Sequence, residues 1–212
     1  MKRQNKIAKG NSCWIVKTIR PEEKYLDPSV YFNNEEVEKY ARSSGMRNAQ
    51  QHIAQRILDL ICLDRSNERH LLDLGCGVGY TTEFYKGKGY NVTGLDVLPK
   101  MLEHAKSKGL TVFQGDMRDL QELFEKEKFD GVVSASALQW LTQEEDLKKV
   151  AYGINYVLKK QGKGVIQFYP KSEQALNEVQ KTFKKRGLFT EIVIDNPENP
   201  KKRVNYLVMH KI

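Results

Sequence analysis

The stretch DLGCGVG, residues 73–79, decides the fold of this 212-residue chain. It follows a short apolar run, His70–Leu74, and precedes an amphipathic segment at about Val78–Gly87. Glycines let the backbone turn tightly, and they let a ligand approach without a Cβ in the way. A buried strand, a glycine-rich turn and a helix in this order predict the ligand-binding edge of a parallel sheet.

The acids around Gly75, Gly77 and Gly79 indicate which ligand the turn holds. Asp73 precedes the first glycine by two positions, and Asp96 ends the next strand, where a carboxylate accepts from both ribose hydroxyls. A pyrophosphate would not favour the negative charge of Asp73, whereas a cationic ligand with an amino group would. We therefore favour S-adenosylmethionine; a nicotinamide or flavin cofactor and a turn with a packing role only are the alternatives.

The rest of the chain from residue 33 alternates helix and strand patterns, which predicts an α/β fold with βαβ units. The loop Asp195–Arg203 has no room for a crossover helix, so the last two strands are expected to be antiparallel. We predict helices over residues 35–61 with a break at 43–45, then 78–87, 99–108, 120–126, 144–158 and 172–186. We predict strands over residues 70–74, 91–96, 110–114, 129–134, 164–169, 189–194 and 204–210.

Composition excludes several classes of protein. Hydrophobic residues make up 40% and charged residues 29%, as in globular domains. An apolar run of about 18 residues is absent, which argues against a transmembrane helix, and Met1–Gly10 does not resemble a secretory signal. The three cysteines contain no Cys-x-x-Cys pair, which argues against a disulfide framework and a structural zinc site. We expect a cytoplasmic protein, or a nuclear one in a eukaryote.

The net charge of +8 is concentrated at the two ends of the chain. Residues 1–24 and 181–212 each carry +5, and the remainder carries −2. Basic ends attract polyanions such as nucleic acid, although solvated basic tails are the alternative. We divide the chain into a basic N-terminal arm, residues 1–30, in which Trp14–Val16 is either a short strand or a packing arm, and one domain, residues 31–212.

These motifs resemble the class I methyltransferases, whose Rossmann-like fold has a seven-stranded, mostly parallel sheet with a C-terminal antiparallel hairpin. The resemblance implies that Asp96 holds the ribose and that Asp116 accepts from the adenine amino group. It also implies that Ser134, at the end of the fourth strand, meets the amino-acid end of the cofactor. The implied cofactor-binding residues are Tyr40, Asp73, Gly75, Cys76, Gly77, Gly79, Asp96, Val97, Met101, Asp116, Met117 and Ser134.

A second resemblance concerns the run SASALQWL, residues 134–141, which is similar to the eukaryotic methyltransferases that make N7-methylguanosine in small-subunit ribosomal RNA. The (Asn/Asp)-Pro-Pro-(Tyr/Phe) turn of many amino-methylating enzymes is absent here, and no residue at this point is suited to remove a proton. The likeness extends to RPE at 20–22, to residues 31–50 and to QFYP at 167–170. The chain departs from the pattern of this family at two points. Gly45 stands where an arginine is expected, for which Arg42 or Arg47 could substitute, and the chain ends directly after the last strand.

This resemblance implies methyl transfer to guanine N7, with Gln139, Trp140 and Tyr169 positioning the base. Ordinary packing is the alternative role for all three. It also implies ribosomal RNA as substrate and a small zinc-binding activator protein as partner, for which the edge strand Leu110–Gln114 is the expected surface. Two other functions stay open: a class I enzyme acting on a small molecule or transfer RNA, and an RNA-binding assembly factor with vestigial catalysis.

Overall fold

The computed structural model describes residues 19–64 and 68–212, and it has the expected α/β architecture. The strands are β1 His70–Leu74, β2 Asn91–Asp96, β3 Val112–Gln114, β4 Phe129–Ala135, β5 Leu158–Phe168, β6 Leu188–Asp195 and β7 Val204–Lys211. The helices are α1 Pro21–Lys24, α2 Pro28–Tyr31, α3 Asn34–Arg42, α4 Ser44–Ile61, α5 Tyr80–Gly87, α6 Pro99–Ser107, α7 Leu120–Leu123, α8 Glu144–Val157 and α9 Glu173–Lys185.

The seven strands form one sheet in the order β3-β2-β1-β4-β5-β7-β6. Strands β1 to β5 pair in parallel, while β7 lies antiparallel between β5 and β6. The predicted class, strand number and C-terminal hairpin are therefore confirmed. The connection between β6 and β7 is too short to cross the sheet, so the chain can only return beside β6.

Helices cover both faces of this sheet, and their apolar sides form the core. On one face α8 and α9 pack Ile154 and Phe183 against the strands. On the other face α4 and α5 contribute Ile57 and Tyr85. All seven residues of β4 are buried, which places this strand at the centre of the molecule.

The start of β5 differs from its predicted position. The strand begins at Leu158, directly after α8, whereas the apolar pattern places it at Gly164. Leu158 is buried and pairs with Phe129, and the register then shifts before Gly131 pairs with Lys163. The intervening residues are polar, so the sequence carries no apolar signal for this part of the strand.

Two short helices, α1 and α2, were not expected from the sequence. Each begins with a proline, Pro21 or Pro28, whose fixed φ and missing N–H suit the first position of a helix. At four residues each, they are too short to show a helical periodicity. The predicted arm segment Trp14–Val16 lies outside the described residues. Across residues 19–64 and 68–212, no helix is both long and apolar enough to span a membrane.

Candidate active site

A cavity of about 1010 Å³ opens at the carboxyl ends of the parallel strands. This is the edge at which open α/β sheets bind ligands. We call the part formed by the loops after β1, β2 and β3 the cofactor end. We call the part formed by residues 20–32 and the segments after β4 and β5 the substrate end.

Most of the predicted site residues meet in this cavity. Twelve of them line it: Tyr40, Gly75, Cys76, Gly77, Asp96, Val97, Met101, Asp116, Met117, Gln139, Trp140 and Tyr169. Asp73, Gly79 and Ser134 do not line it, and neither do Arg42 and Arg47. The individual roles of these residues remain predictions.

The glycine turn requires its three glycines for different reasons. Gly75, Gly77 and Gly79 have φ of 71°, 53° and 83°, a region that side chains with a Cβ rarely adopt. A Cβ on Gly75 would collide with Ala137, and one on Gly79 would collide with Leu110. Gly75 and Gly79 therefore allow close packing, and Gly75 and Gly77 line the cavity.

Asp96 connects the glycine turn to α6. One carboxylate oxygen accepts from the backbone N–H of Gly77 at 2.8 Å, and the other accepts from Leu98 N–H at 2.9 Å. Burial raises the pKa of this carboxyl, and the backbone hydrogen bonds oppose the rise. Each carboxylate oxygen keeps a further lone pair, so Asp96 can also accept from ligand hydroxyls.

Asp73 lies beneath the turn and is almost completely buried. One of its oxygens accepts from the hydroxyls of Thr81 and Thr82, each at 2.7 Å. The other oxygen, Oδ1, has no hydrogen-bond partner among the described residues. Burial raises the pKa of Asp73 to about 6 despite the two hydroxyl donors. Its carboxylate thus anchors the start of α5.

Asp116, predicted to meet the adenine amino group, lies at the cavity wall with its carboxylate bonded to Arg118. The backbone N–H of Arg118 also donates to it, at 2.9 Å. Although burial opposes the effect, these bonds hold the pKa of Asp116 below its usual value. Arg118 in turn contacts Asp146 at 3.3 Å. Asp116 is therefore ionised and held in place.

Tyr80 joins the glycine turn to α3, a role that the sequence pattern did not reveal. Its hydroxyl lies 3.0 Å from the Tyr40 carbonyl and 2.8 Å from the Ala41 carbonyl. The two tyrosine rings stack with centroids 5.8 Å apart. A glycine at position 80, as in a dinucleotide fingerprint, could make neither contact, so this tyrosine couples α3 to the turn.

Aromatic side chains line the substrate end. Trp140 lies with its ring centroid 6.0 Å from that of Tyr31 and 5.9 Å from that of Phe32. The guanidinium carbon of Arg20 lies 4.6 Å from the centre of the Tyr169 ring. Arg20 therefore covers one face of the Tyr169 ring.

The segment after β4 contributes polar atoms to the substrate end of the cavity. Ser136 has φ of 58°, an uncommon value for a residue with a side chain, and its hydroxyl donates to Gln167 at 2.8 Å. The Gln139 amide N–H donates to the Ser136 carbonyl at 2.9 Å, and its Oε1 is buried without a partner among the described residues. Ser134 instead donates its hydroxyl to the Leu74 carbonyl inside the sheet.

The sequence reasoning did not assign a role to Glu22, Tyr31 or Phe32, which all line the cavity. The run RPE at 20–22 and Tyr31 stood out only through the family resemblance. The spacing of apolar residues does not predict that these residues lie near the sheet, because they precede the first strand by about 40 residues.

The residues at the cofactor end suit S-adenosylmethionine. Gly77 and the Asp96 carboxylate supply an open backbone surface and acceptors for ribose hydroxyls. Val97, Met101 and Met117 supply apolar surface for a purine ring. Within residues 19–64 and 68–212, no group of three His, Cys, Asp or Glu side chains is placed to hold a metal ion.

Comparison with known proteins identifies the relatives of this chain. The family model "Methyltransferase domain" matches residues 72–166. The 18S rRNA (guanine-N(7))-methyltransferase of Schizosaccharomyces pombe is 30% identical over 203 residues, which cover 90% of this chain and 74% of that protein. The similarity thus includes the substrate end as well as the cofactor end.

Two solved structures share the fold at lower identity. A Methanococcus maripaludis chain named as an S-adenosyl-L-methionine-dependent methyltransferase has a TM-score of 0.68 and 16% identity, covering 85% of this chain and 93% of its own. A chain from the complex between the Haloferax volcanii Trm112 methyltransferase activator and a methyltransferase has a TM-score of 0.62 and 20% identity, covering 84% and 98%.

Proposed function

This chain belongs to the 18S rRNA (guanine-N(7))-methyltransferase family, and we propose that it methylates guanine N7 in small-subunit ribosomal RNA. It is a methyltransferase that uses S-adenosyl-L-methionine. The observation that carries the proposal is the substrate end, which combines aromatic walls with a segment after β4 that lacks a basic side chain. Ser136, Gln139 and Trp140 occupy that segment.

The chemistry of guanine N7 agrees with this segment. S-adenosylmethionine, when bound, supplies an electrophilic methyl group on a sulfonium. The N7 atom carries a lone pair and no proton, so its attack on the methyl requires no base. Transfer would form the N7–C bond as the S–C bond breaks, with the electron pair leaving on sulfur and the positive charge moving to the purine. The protein's part is to orient the base, and orientation alone contributes several kcal/mol.

We assign the orientation to Gln139, Trp140 and Tyr169. A base inside a helix could not enter the cavity, so the target guanosine is unpaired or flipped out and stacks on aromatic rings. Trp140 presents such a ring at the cavity wall. An aromatic face also stabilises the cationic product by about 0.5–2 kcal/mol. At the other end we assign the cofactor to the glycine turn and Asp96.

Mass spectrometry of nucleosides tests the proposal. Small-subunit ribosomal RNA from cells with and without the protein should differ in 7-methylguanosine, and the purified protein should restore the modification to RNA that lacks it. Unchanged 7-methylguanosine would overturn the proposal. Methyl transfer to transfer RNA or to a free metabolite would favour another class I substrate. RNA binding without cofactor binding would favour an assembly factor.

We also propose that a small zinc-binding activator protein pairs with β3. This strand lies at the sheet edge, is three residues long and carries no charged side chain. Phe113 on β3 is 51% exposed, and nearby Leu123 is 40% exposed. An uncharged edge strand offers unpaired backbone groups to a strand of another chain. The Haloferax chain of similar fold was solved in complex with the Trm112 activator.

Co-expression tests this partner. Phe113→Glu should abolish the gain in solubility or activity that an activator provides, because it places a charge on the paired edge. Phe189→Glu is the matched control, since Phe189 is 56% exposed on β6 at the opposite edge of the sheet. A fully active monomer that gains nothing from the activator would contradict the pairing. Given a ribosomal RNA substrate, we expect the protein in the cytoplasm or nucleus.

A further inference from the structure

Glu22 is a buried acid at the substrate end whose presence the proposed chemistry does not explain. It lines the cavity from α1, yet only 5% of the residue is exposed. Its Oε1 atom has no hydrogen-bond partner among the described residues. The neighbouring Glu23, on the same turn of helix, is exposed. The two acids share a helix and differ in their surroundings.

An unpaired carboxylate oxygen is unfavourable in a buried position. Removing such a group from water without a replacement hydrogen bond costs free energy, and the cost is larger for a charged group. The carboxylate of Glu22 therefore needs donors, and the cavity is where a ligand can supply them. Position 22 thus favours a ligand with N–H groups that point toward α1.

Contacts on both sides of Glu22 fix α1 and α2 at the substrate end. Arg20, two residues earlier, packs on the ring of Tyr169 after β5. Tyr31, nine residues later, packs against Trp140 after β4. Strand β5 lies three positions from β2 in the sheet, which corresponds to about 14 Å between Tyr169 and Asp96 across the strands. These contacts place α1 and α2 against the segments after β4 and β5.

Guanine has the donors that this carboxylate lacks. Its Watson–Crick edge presents N1–H and the N2 amino group side by side, and a carboxylate accepts from both with its two oxygens. Adenine and cytosine present a ring nitrogen acceptor on that edge, which a carboxylate repels. Single-stranded bases are read in this way, by stacking and by hydrogen bonds to the Watson–Crick edge.

We propose that Glu22 is the residue that selects guanine. The methyl transfer that follows this selection rests on the proposed function, whereas the preference for guanine does not. With N1–H and N2–H directed at Glu22, the N7 atom on the opposite side of the purine points away from α1, toward the cofactor end. Trp140 supplies the stacking surface, and Gln139 Oε1 offers a second acceptor for the amino group. Base recognition and methyl transfer then use opposite edges of one base.

Nucleotide binding tests this assignment separately from catalysis. Guanosine, inosine and adenosine monophosphates are titrated into the protein saturated with S-adenosylhomocysteine, with binding followed by NMR. The wild type should bind guanosine monophosphate about tenfold more tightly than adenosine monophosphate. Inosine monophosphate, which lacks the N2 amino group, should fall between them. Glu22→Gln should lose the preference, and Glu22→Asp should lose part of it.

Glu23→Gln is the matched control, because it removes the same charge from the same helix and should leave the preference intact. Unchanged cofactor affinity shows that each variant is folded. Equal binding of the guanine and adenine nucleotides by the wild type, no binding of either, or a preference that survives in Glu22→Gln would overturn the assignment. A guanine preference that depends on Glu22, without methyl transfer to ribosomal RNA, would overturn the proposed function alone.

Discussion

The cofactor end and the substrate end of the cavity are assembled from different spans of chain. The cofactor end takes its glycine turn, the Asp96 carboxylate and its apolar surface from residues 75–117, in three successive loops of a parallel sheet. The substrate end combines residues 20–32 with residues 136–143 and Tyr169. A local motif therefore encodes the first end, whereas the second depends on distant segments being packed together. Substitutions at the two ends should consequently separate cofactor binding from base recognition.

The largest expected effect concerns Asp73, which belongs to the motif but lies beneath the cofactor end. Its pKa of about 6 exceeds the ordinary 3.8, so the folded protein binds its proton more tightly than the unfolded chain. Stability that protonation supplies is then lost as the pH rises from about 4 to about 6, by an amount on the order of 3 kcal/mol. Asp73→Asn should abolish this decrease in the free energy of unfolding, which urea unfolding measures in the absence of cofactor.

Asp130 provides the control of opposite sign. Although burial opposes the effect, the His70 N–H, Lys159 and Arg69 hold its pKa below the usual value. Its contribution is therefore present above the unfolded pKa and is lost as the pH falls. Asp130→Asn should make the protein less stable than the wild type near pH 7. The difference in the free energy of unfolding between the two proteins should become smaller at low pH. If the free energies of unfolding of the wild type and of Asp73→Asn changed with pH in the same way, the burial cost assigned to the Asp73 carboxylate would be contradicted.

Asp96→Ala should weaken S-adenosylmethionine binding by about 1–3 kcal/mol, because charge-assisted hydrogen bonds to the ribose are lost. The loss also frees the backbone N–H groups of Gly77 and Leu98, so the turn loosens. Isothermal titration measures the constant. Asp195→Ala, which removes a partly exposed acid from β6, is the control and should leave it unchanged. An unaltered constant for Asp96→Ala would remove this residue from the cofactor site.

Trp140→Ala probes the substrate end. Stacking of a base on an aromatic ring contributes about 1–3 kcal/mol, so methyl transfer to RNA should fall roughly tenfold or more. Cofactor affinity should stay the same, because Trp140 lies with Tyr31 and Phe32 rather than at the glycine turn. Tyr152→Ala, at an exposed aromatic residue on α8, is the control. A matching loss of cofactor affinity would show that the two ends are not separable.

Tyr80→Phe should have the smallest effect and tests the contact between the glycine turn and α3. It removes the hydroxyl near the last carbonyls of α3, with an expected loss of about 0.5–1.5 kcal/mol in the free energy of unfolding. Tyr90→Phe removes a comparable hydroxyl bond to Leu63 in a different cluster. Both variants should lose stability in urea, but only Tyr80→Phe should also weaken cofactor binding.

The sequence predicted most of the fold because its signals are local. A glycine turn between a strand and a helix, together with alternating strand-like and helix-like spacings of apolar residues, was enough to predict seven strands and their order along the chain. The early start of β5 at Leu158 was not predicted, since the residues after it are polar. The helices α1 and α2 were not predicted either, because four residues show no period.

The candidate site divides in the same way. The sequence by itself determined that Gly75, Gly77, Asp96 and their neighbours lie together at one cavity, because the strand ends of a parallel sheet converge at one edge. Only the tertiary structure placed Asp73 beneath the turn, paired Asp116 with Arg118 and brought Glu22 to the cavity. These outcomes depend on burial and on which side chains meet across distant segments, and neither quantity is set by local spacing.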